Sequence, residues 1–176
     1  LFSVSTIYHC TGLLFGYRSR LNRMFQTADH SMIYAFIASS YTPWLALVDF
    51  TIGTFSMSQI FLGLIWSIAL FGLIKSIANV FHWIQGMVVY LFMGWISVLY
   101  LIMFFSFMAL GLFETRLNMW SIVELLFSGI FYTVGGCVFF RLDGKLPFSH
   151  AIWHLFAVVA AFIHYHAIHV YVMDLE

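Results

Sequence analysis

Two histidines one helical turn apart open the last apolar run of the chain, PFSHAIWHLF: His150 and His154. Side chains at i and i+4 share one face of an α-helix, so this run presents two imidazoles together among Phe, Ile, Trp and Leu. A third, His9, sits in an apolar run near the start, STIYHC, with Ser5 one turn before it. Asp29 follows in TADHSMIY. Three neutral imidazoles leave one position of a four-coordinate zinc ion open, the arrangement of catalytic zinc rather than of closed structural sites. Such an ion polarises a carbonyl and brings the pKa of a bound water towards ~7. Asp29 would orient that water or take its proton, and Ser5 would donate to a developing oxyanion or to a partner of the ligands. Imidazole also suits copper, nickel and iron, so the donor set prefers zinc without fixing it. A competing reading has the same histidines hydrogen-bonding one helix to another.

The elements that must position these residues are set by composition. Charged residues make up 8% of the 176, hydrophobic residues 63% and aromatic residues 20%, with a mean hydropathy of +0.98. A soluble fold of this size has too much surface to hide that much apolar area. The chain reads as an all-α, multi-pass transmembrane helix bundle. Its net charge of zero gives no reason to expect nucleic acid or an acidic partner; membrane lipids are the partners that composition implies. Cys10 and Cys137 both lie in apolar runs and read as small buried hydrophobes, not as a disulfide framework.

Six apolar stretches stand out, at about 1–16, 31–49, 55–74, 86–111, 119–140 and 149–173, in a single domain without repeats or linkers. Crossing a ~30 Å hydrocarbon core takes about 20 helical residues. Five stretches are long enough. The first is short, and the chain opens at Leu1 in mid-pattern, so a truncated first span is expected. Pro43 should kink the second helix without removing it from the membrane. Arg18, Arg20, Arg23, Lys75, Arg141 and Lys145 fall in alternate connections, on one side, and only Arg116 on the other. The positive-inside rule makes the richer side cytoplasmic and puts the C-terminus on the exterior or lumenal side. Ser5, His9, Asp29, His150 and His154 then gather in the cytoplasmic third of the membrane.

The remaining polar residues read differently. His164, His166 and His169 lie ten or more residues beyond His154, at least ~15 Å along the helix, and suit packing or the far interface. His30 and His82 read as solvated. Glu124, about 17 residues from Arg141, is too far along its helix to join the cytoplasmic cluster and reads as a hydrogen-bonded helix contact. No helix shows a continuous polar stripe, so nothing favours a pore.

Taken together, Ser5-x3-His9 in STIYHC, Asp29 in ADHSMIY, ASSYTPWL and His150-x3-His154 in PFSHAIWHLF resemble the progestin and adipoQ receptor family, which includes the hemolysin III proteins. FFRLDGKLPFSHAIWHLF followed by HYHAIHVYV looks most like its monocyte-to-macrophage differentiation factor branch. The resemblance implies seven helices with a cytoplasmic N-terminus, and a zinc ion (Zn2+) held by His9, His150 and His154 with Asp29 and Ser5 beside it. It also implies an activity in membrane signalling or regulation. Relatives in the wider superfamily hydrolyse lipid amides, ceramide being the leading substrate. The alternative it leaves is a non-enzymatic receptor or scaffold with a structural zinc and protein partners of unstated kind. Ion transport is a third option, resting on Glu124 alone. The branch suggests an endomembrane address, Golgi or endolysosomal, with the plasma membrane as the alternative.

Overall fold

The computed structural model describes residues 1–78, 83–112, 118–139, 141–142, 145 and 149–171. The expectations placed on His82 and Arg116 lie outside them. The elements are α1 (Phe2–Phe15), α2 (Arg20–Leu47), a hairpin of β1 (Thr51–Ile52) and β2 (Phe55–Ser56), α3 (Met57–Ile77), α4 (Trp83–Ala109), α5 (Met119–Val134) and α6 (Ser149–Tyr171). The fold is thus all-α, as composition requires. In lipid a helix satisfies its own backbone polar groups, which is why apolar runs of this length become helices. Among the described residues four segments are long and apolar enough to cross a membrane: Met57–Ile77, Val88–Ala109, Met119–Val138 and Ile152–Val170. Leu70, Phe92, Phe127 and Phe162 are exposed along them, a surface suited to acyl chains.

Three features differ from the sequence reading. First, α2 begins at Arg20, eleven residues before the apolar stretch at 31, because Ser19 caps it: its hydroxyl accepts from the Asn22 N–H at 3.2 Å. Second, two-residue strands flank a turn at Gly53, a hairpin too short to show any alternation in sequence. Third, α5 passes at its end into a π-helical segment, Gly135–Phe139. α2 itself runs unbroken through Pro43. The Thr42 hydroxyl there donates to the Ala38 carbonyl at 3.1 Å, a side-chain bond of the kind that accompanies proline inside membrane helices.

The described chain divides into two compact units. The first comprises Leu1–Thr42 and Gln59–Gly94. Here α1 lies antiparallel to α2: Phe2 meets Phe36 with ring centroids 6.5 Å apart, while the Asn22 amide donates to the Tyr8 carbonyl at 2.8 Å and to the Thr11 hydroxyl at 3.2 Å. α3 runs back along α2, joined by Ser31 to Ser76 at 3.1 Å and Trp66 Nε1 to the Thr42 hydroxyl at 3.3 Å. Gly72 lets the two helices close up, since a Cβ there would fall 2.3 Å from the buried ring of Tyr34. On α4, Tyr90 donates to the His30 carbonyl at 2.9 Å and Tyr41 of α2 donates to the Gly94 carbonyl.

The second unit comprises Pro43–Ser58 and Trp95–Glu176. Phe50, 4% exposed, is its anchor beneath the hairpin, ringed by Tyr100, Phe104 and Phe107 at centroid distances of 5.5–5.8 Å. Tyr100 donates to the Val48 carbonyl, and Trp95 Nε1 to the Thr133 hydroxyl at 3.1 Å. α5 and α6 pack along each other, and Gly135 admits the Cβ of Phe156, which an added methyl would meet at 2.8 Å. Asp49, past the end of α2, serves α3: its carboxylate accepts from the Ser56 hydroxyl at 2.7 Å and from the Ser58 N–H at 3.0 Å.

Candidate functional site

Ser5 and Asp29 are 3% and 4% exposed, on α1 and α2 of the first unit. The antiparallel register set by Phe2–Phe36 and Asn22–Tyr8 brings these two positions to one level. Their apolar surroundings are built by ordinary helix packing, yet each adds a polar group that burial makes costly. His9, half-buried, stands one turn from Ser5 on α1. A carboxylate, a hydroxyl and an imidazole therefore belong to the same helix pair. Next to Asp29 along α2, the His30 carbonyl takes the Tyr90 hydroxyl, and the Tyr90 ring meets that of Tyr34 at 4.5 Å. The sequence reading gave neither tyrosine a part, because isolated tyrosines carry no motif.

His150 and His154 belong to α6 of the second unit. His154 is half-buried, and its ring lies 4.6 Å from that of Trp153. His150 lies in the first turn of α6, and its side chain falls outside the described residues. Among the described residues no three His, Cys, Asp or Glu side chains are grouped to hold a metal. What fits zinc is the donor chemistry: imidazoles on apolar helices, with a buried carboxylate and hydroxyl on the helix pair that carries His9. Those residues match the nitrogen and oxygen preferences of that ion.

The α5–α6 packing holds polar residues that sequence reading sorted only in part. Glu124 makes the helix contact expected of it: its Oε2 lies 2.8 Å from His166 Nδ1, the single ion pair among the described residues. One turn further along α5, Ser128 is 3.5 Å from Nδ1 of the buried His164. Ser121 is also fully buried, its hydroxyl bonded to the Asn118 carbonyl. Ser121, Glu124 and Ser128, at i, i+3 and i+7, share one face of α5, a short polar patch and not a continuous stripe. The reading of His30 is corrected: it is half-buried and its carbonyl takes the Tyr90 hydroxyl, where a solvated residue was expected.

Long apolar helices with buried polar residues define a multi-pass helical membrane protein. Residues 1–165 match the family described as Haemolysin-III related, and the chain belongs to that family. It is 37% identical over 169 residues to the human monocyte to macrophage differentiation factor, covering 96% of this chain and 64% of that protein. It is 32% identical over 159 residues to hemolysin-3 of Bacillus cereus, covering 90% of this chain and 64% of that one. A hemolysin-3 homolog of Bacillus subtilis is 35% identical over 131 residues, 74% of this chain and 54% of the relative. The chain thus spans less than two thirds of the length of these relatives. No solved structure matches it.

Proposed function

We propose that this protein is a membrane regulatory protein that holds zinc with His9, His150 and His154 and hydrolyses a lipid amide of the ceramide class. The observation that supports this reading most is Asp29, buried at 4% exposure on the level of Ser5 and beside the helix of His9. A carboxylate at that depth in an apolar bundle needs a cation, a proton or a task. Bound zinc would supply Lewis acidity at the amide carbonyl and an acidified water. The chain's own residues would do the rest. Asp29 takes a proton from the attacking water and returns it to the departing amine as the C–N bond breaks. Ser5 donates to the carbonyl oxygen as negative charge develops there, and the apolar helix surfaces take the acyl chain.

A second reading is favoured by the relatives' names, a differentiation factor and hemolysins, none of which states a hydrolase. In it the same zinc only ties helices together in a receptor or scaffold. One experiment separates the two: elemental analysis of purified full-length protein, with free fatty acid release from ceramide measured on the same sample. The hydrolase reading expects about one zinc per chain and turnover, both lost in His9→Ala. Zinc without turnover on any of several lipid amides and esters would leave the scaffold reading. Protein that purifies folded and metal-free under zinc-replete conditions would sink both.

A further inference from the structure

The turn between α1 and α2 concentrates positive charge, and no ion pair among the described residues answers it. Gly16 ends α1 with a positive φ of 84°, and the Ser19 N–H closes the turn on the Gly16 carbonyl at 3.0 Å. Ser19 then caps α2. Nη2 of Arg23 donates to the Arg18 carbonyl at 3.1 Å, which folds the Arg23 guanidinium back from the first turn of α2 over the connection. Arg18 and Arg20 flank Ser19. Three exposed arginines thus fall within one turn of six residues. The first unit contains a single acidic residue, Asp29, buried and six residues along α2 from Arg23, about 9 Å along the axis. The only ion pair among the described residues is elsewhere, at Glu124 and His166.

Like charges on one short turn repel one another, so a basic cluster with no acidic partner among the described residues is suited to an external anion. Its surroundings choose which anion. Leu13, Leu14 and Phe15, the last turn of α1, are 77%, 76% and 62% exposed, and Tyr17 is 53% exposed. Met24 is exposed beside Arg23. Apolar side chains one turn from the guanidiniums suit acyl chains, and tyrosine suits the interface between chain and headgroup. A soluble phosphate has no use for that collar. Lys75 is not part of the cluster, because Ser76 pairs with Ser31, eight residues further along α2 than Arg23.

We propose that Arg18, Arg20 and Arg23 form a recognition site for the phosphate-bearing headgroups of anionic membrane lipids, with Leu13–Phe15 and Met24 against the acyl chains. Arginine's planar fork grips phosphate oxygens bidentately, which the ammonium of lysine does not. The site is independent of whether zinc is bound.

The test uses full-length protein in neutral detergent, already folded, so that membrane insertion plays no part in the readout. Thermal shift and native mass spectrometry are run with a short-chain phosphatidylserine, a short-chain phosphatidylinositol phosphate, phosphatidylcholine and inorganic phosphate. The anionic lipids should bind and stabilise, phosphatidylcholine should not, and inorganic phosphate at equal concentration should do neither. Binding should weaken with added salt and fall by about fivefold per charge removed, so roughly 100-fold in Arg18→Gln/Arg20→Gln/Arg23→Gln. If that triple variant is unfolded, Arg20→Gln, whose side chain carries none of the turn's described hydrogen bonds, should still show the fivefold loss. Replacing all three by Lys should keep the salt dependence and lose part of the affinity. Unchanged lipid binding in a folded Gln variant, or equal stabilisation by inorganic phosphate, would overturn the proposal.

Discussion

Asp49 shows how much one side chain can decide where a membrane helix begins. It lies beyond Leu47, where α2 ends, and outside the membrane-spanning segments. Its carboxylate reaches forward to the first turn of α3 and accepts from the Ser58 N–H and the Ser56 hydroxyl. Partial burial pushes this carboxyl up. The hydroxyls of Ser56 and Ser58 and the N–H groups of Ser58 and Phe50 outweigh it and hold the group below the usual carboxylate range. A group with a depressed folded pKa contributes stability that is present above its unfolded pKa and lost as pH falls through the folded one. Asp49→Ala should therefore cost about 1 kcal/mol at neutral pH, the size of a lost helix cap. The gap between variant and wild type should close as the pH drops below about 4. Thermal unfolding in detergent at a series of pH values measures it, and a gap that stays constant into acid would mean that the carboxylate's charge plays no part.

At the scale of elements, close helix contact rests on where side chains are missing. Gly72 and Gly63 both sit in α3, yet a Cβ at Gly72 would strike the ring of Tyr34 at 2.3 Å, while nothing lies within 4 Å of one at Gly63. Tyr34 is 1% exposed and its ring is in contact with Tyr90, so it has little room to give. Gly72→Ala should cost about 1–3 kcal/mol through overpacking, and Gly63→Ala should be neutral or gain up to ~1 kcal/mol from helix propensity. Equal unfolding midpoints for the two variants would show that α2 and α3 can separate freely. This contrast also marks the limit of what the sequence told. The apolar runs were legible because their length and hydropathy leave few alternatives to a helix, and Ser5, His9 and Asp29 were legible because polar residues stand out in such runs. Glycine contacts, the Glu124–His166 pair and the tyrosines around Asp29 depend on helix register, which apolar runs with little periodicity do not encode. The early start of α2 was missed because its first turns are polar, and the hairpin because two residues cannot alternate.

On the scale of the whole molecule, the placement of charge predicts which way the protein lies in the membrane. The Arg18–Arg23 turn and Lys75 sit at the same end of their antiparallel helices, α1 with α2 and α2 with α3, as Asn22–Tyr8 and Ser31–Ser76 fix. Arg141 and Lys145 lie in the connection between α5 and α6, which alternate crossing assigns to that same side. A basic excess of this kind sets orientation when the connections are short. The turn at Arg18 and the connection at Lys145 should therefore face the cytoplasm, and the residues after α6 the exterior or lumen. Single cysteines introduced at Ser19 and at Lys145, in a background with Cys10 and Cys137 replaced, should react with an impermeant maleimide once the plasma membrane alone is permeabilised, and not in intact cells. A tag after Glu176 should be shielded from protease added on that side. A tag cleaved from the cytoplasm would reverse the orientation and move the arginine turn to the opposite leaflet. The helices, their contacts and the family would stand unchanged, because none of them depends on which face is which.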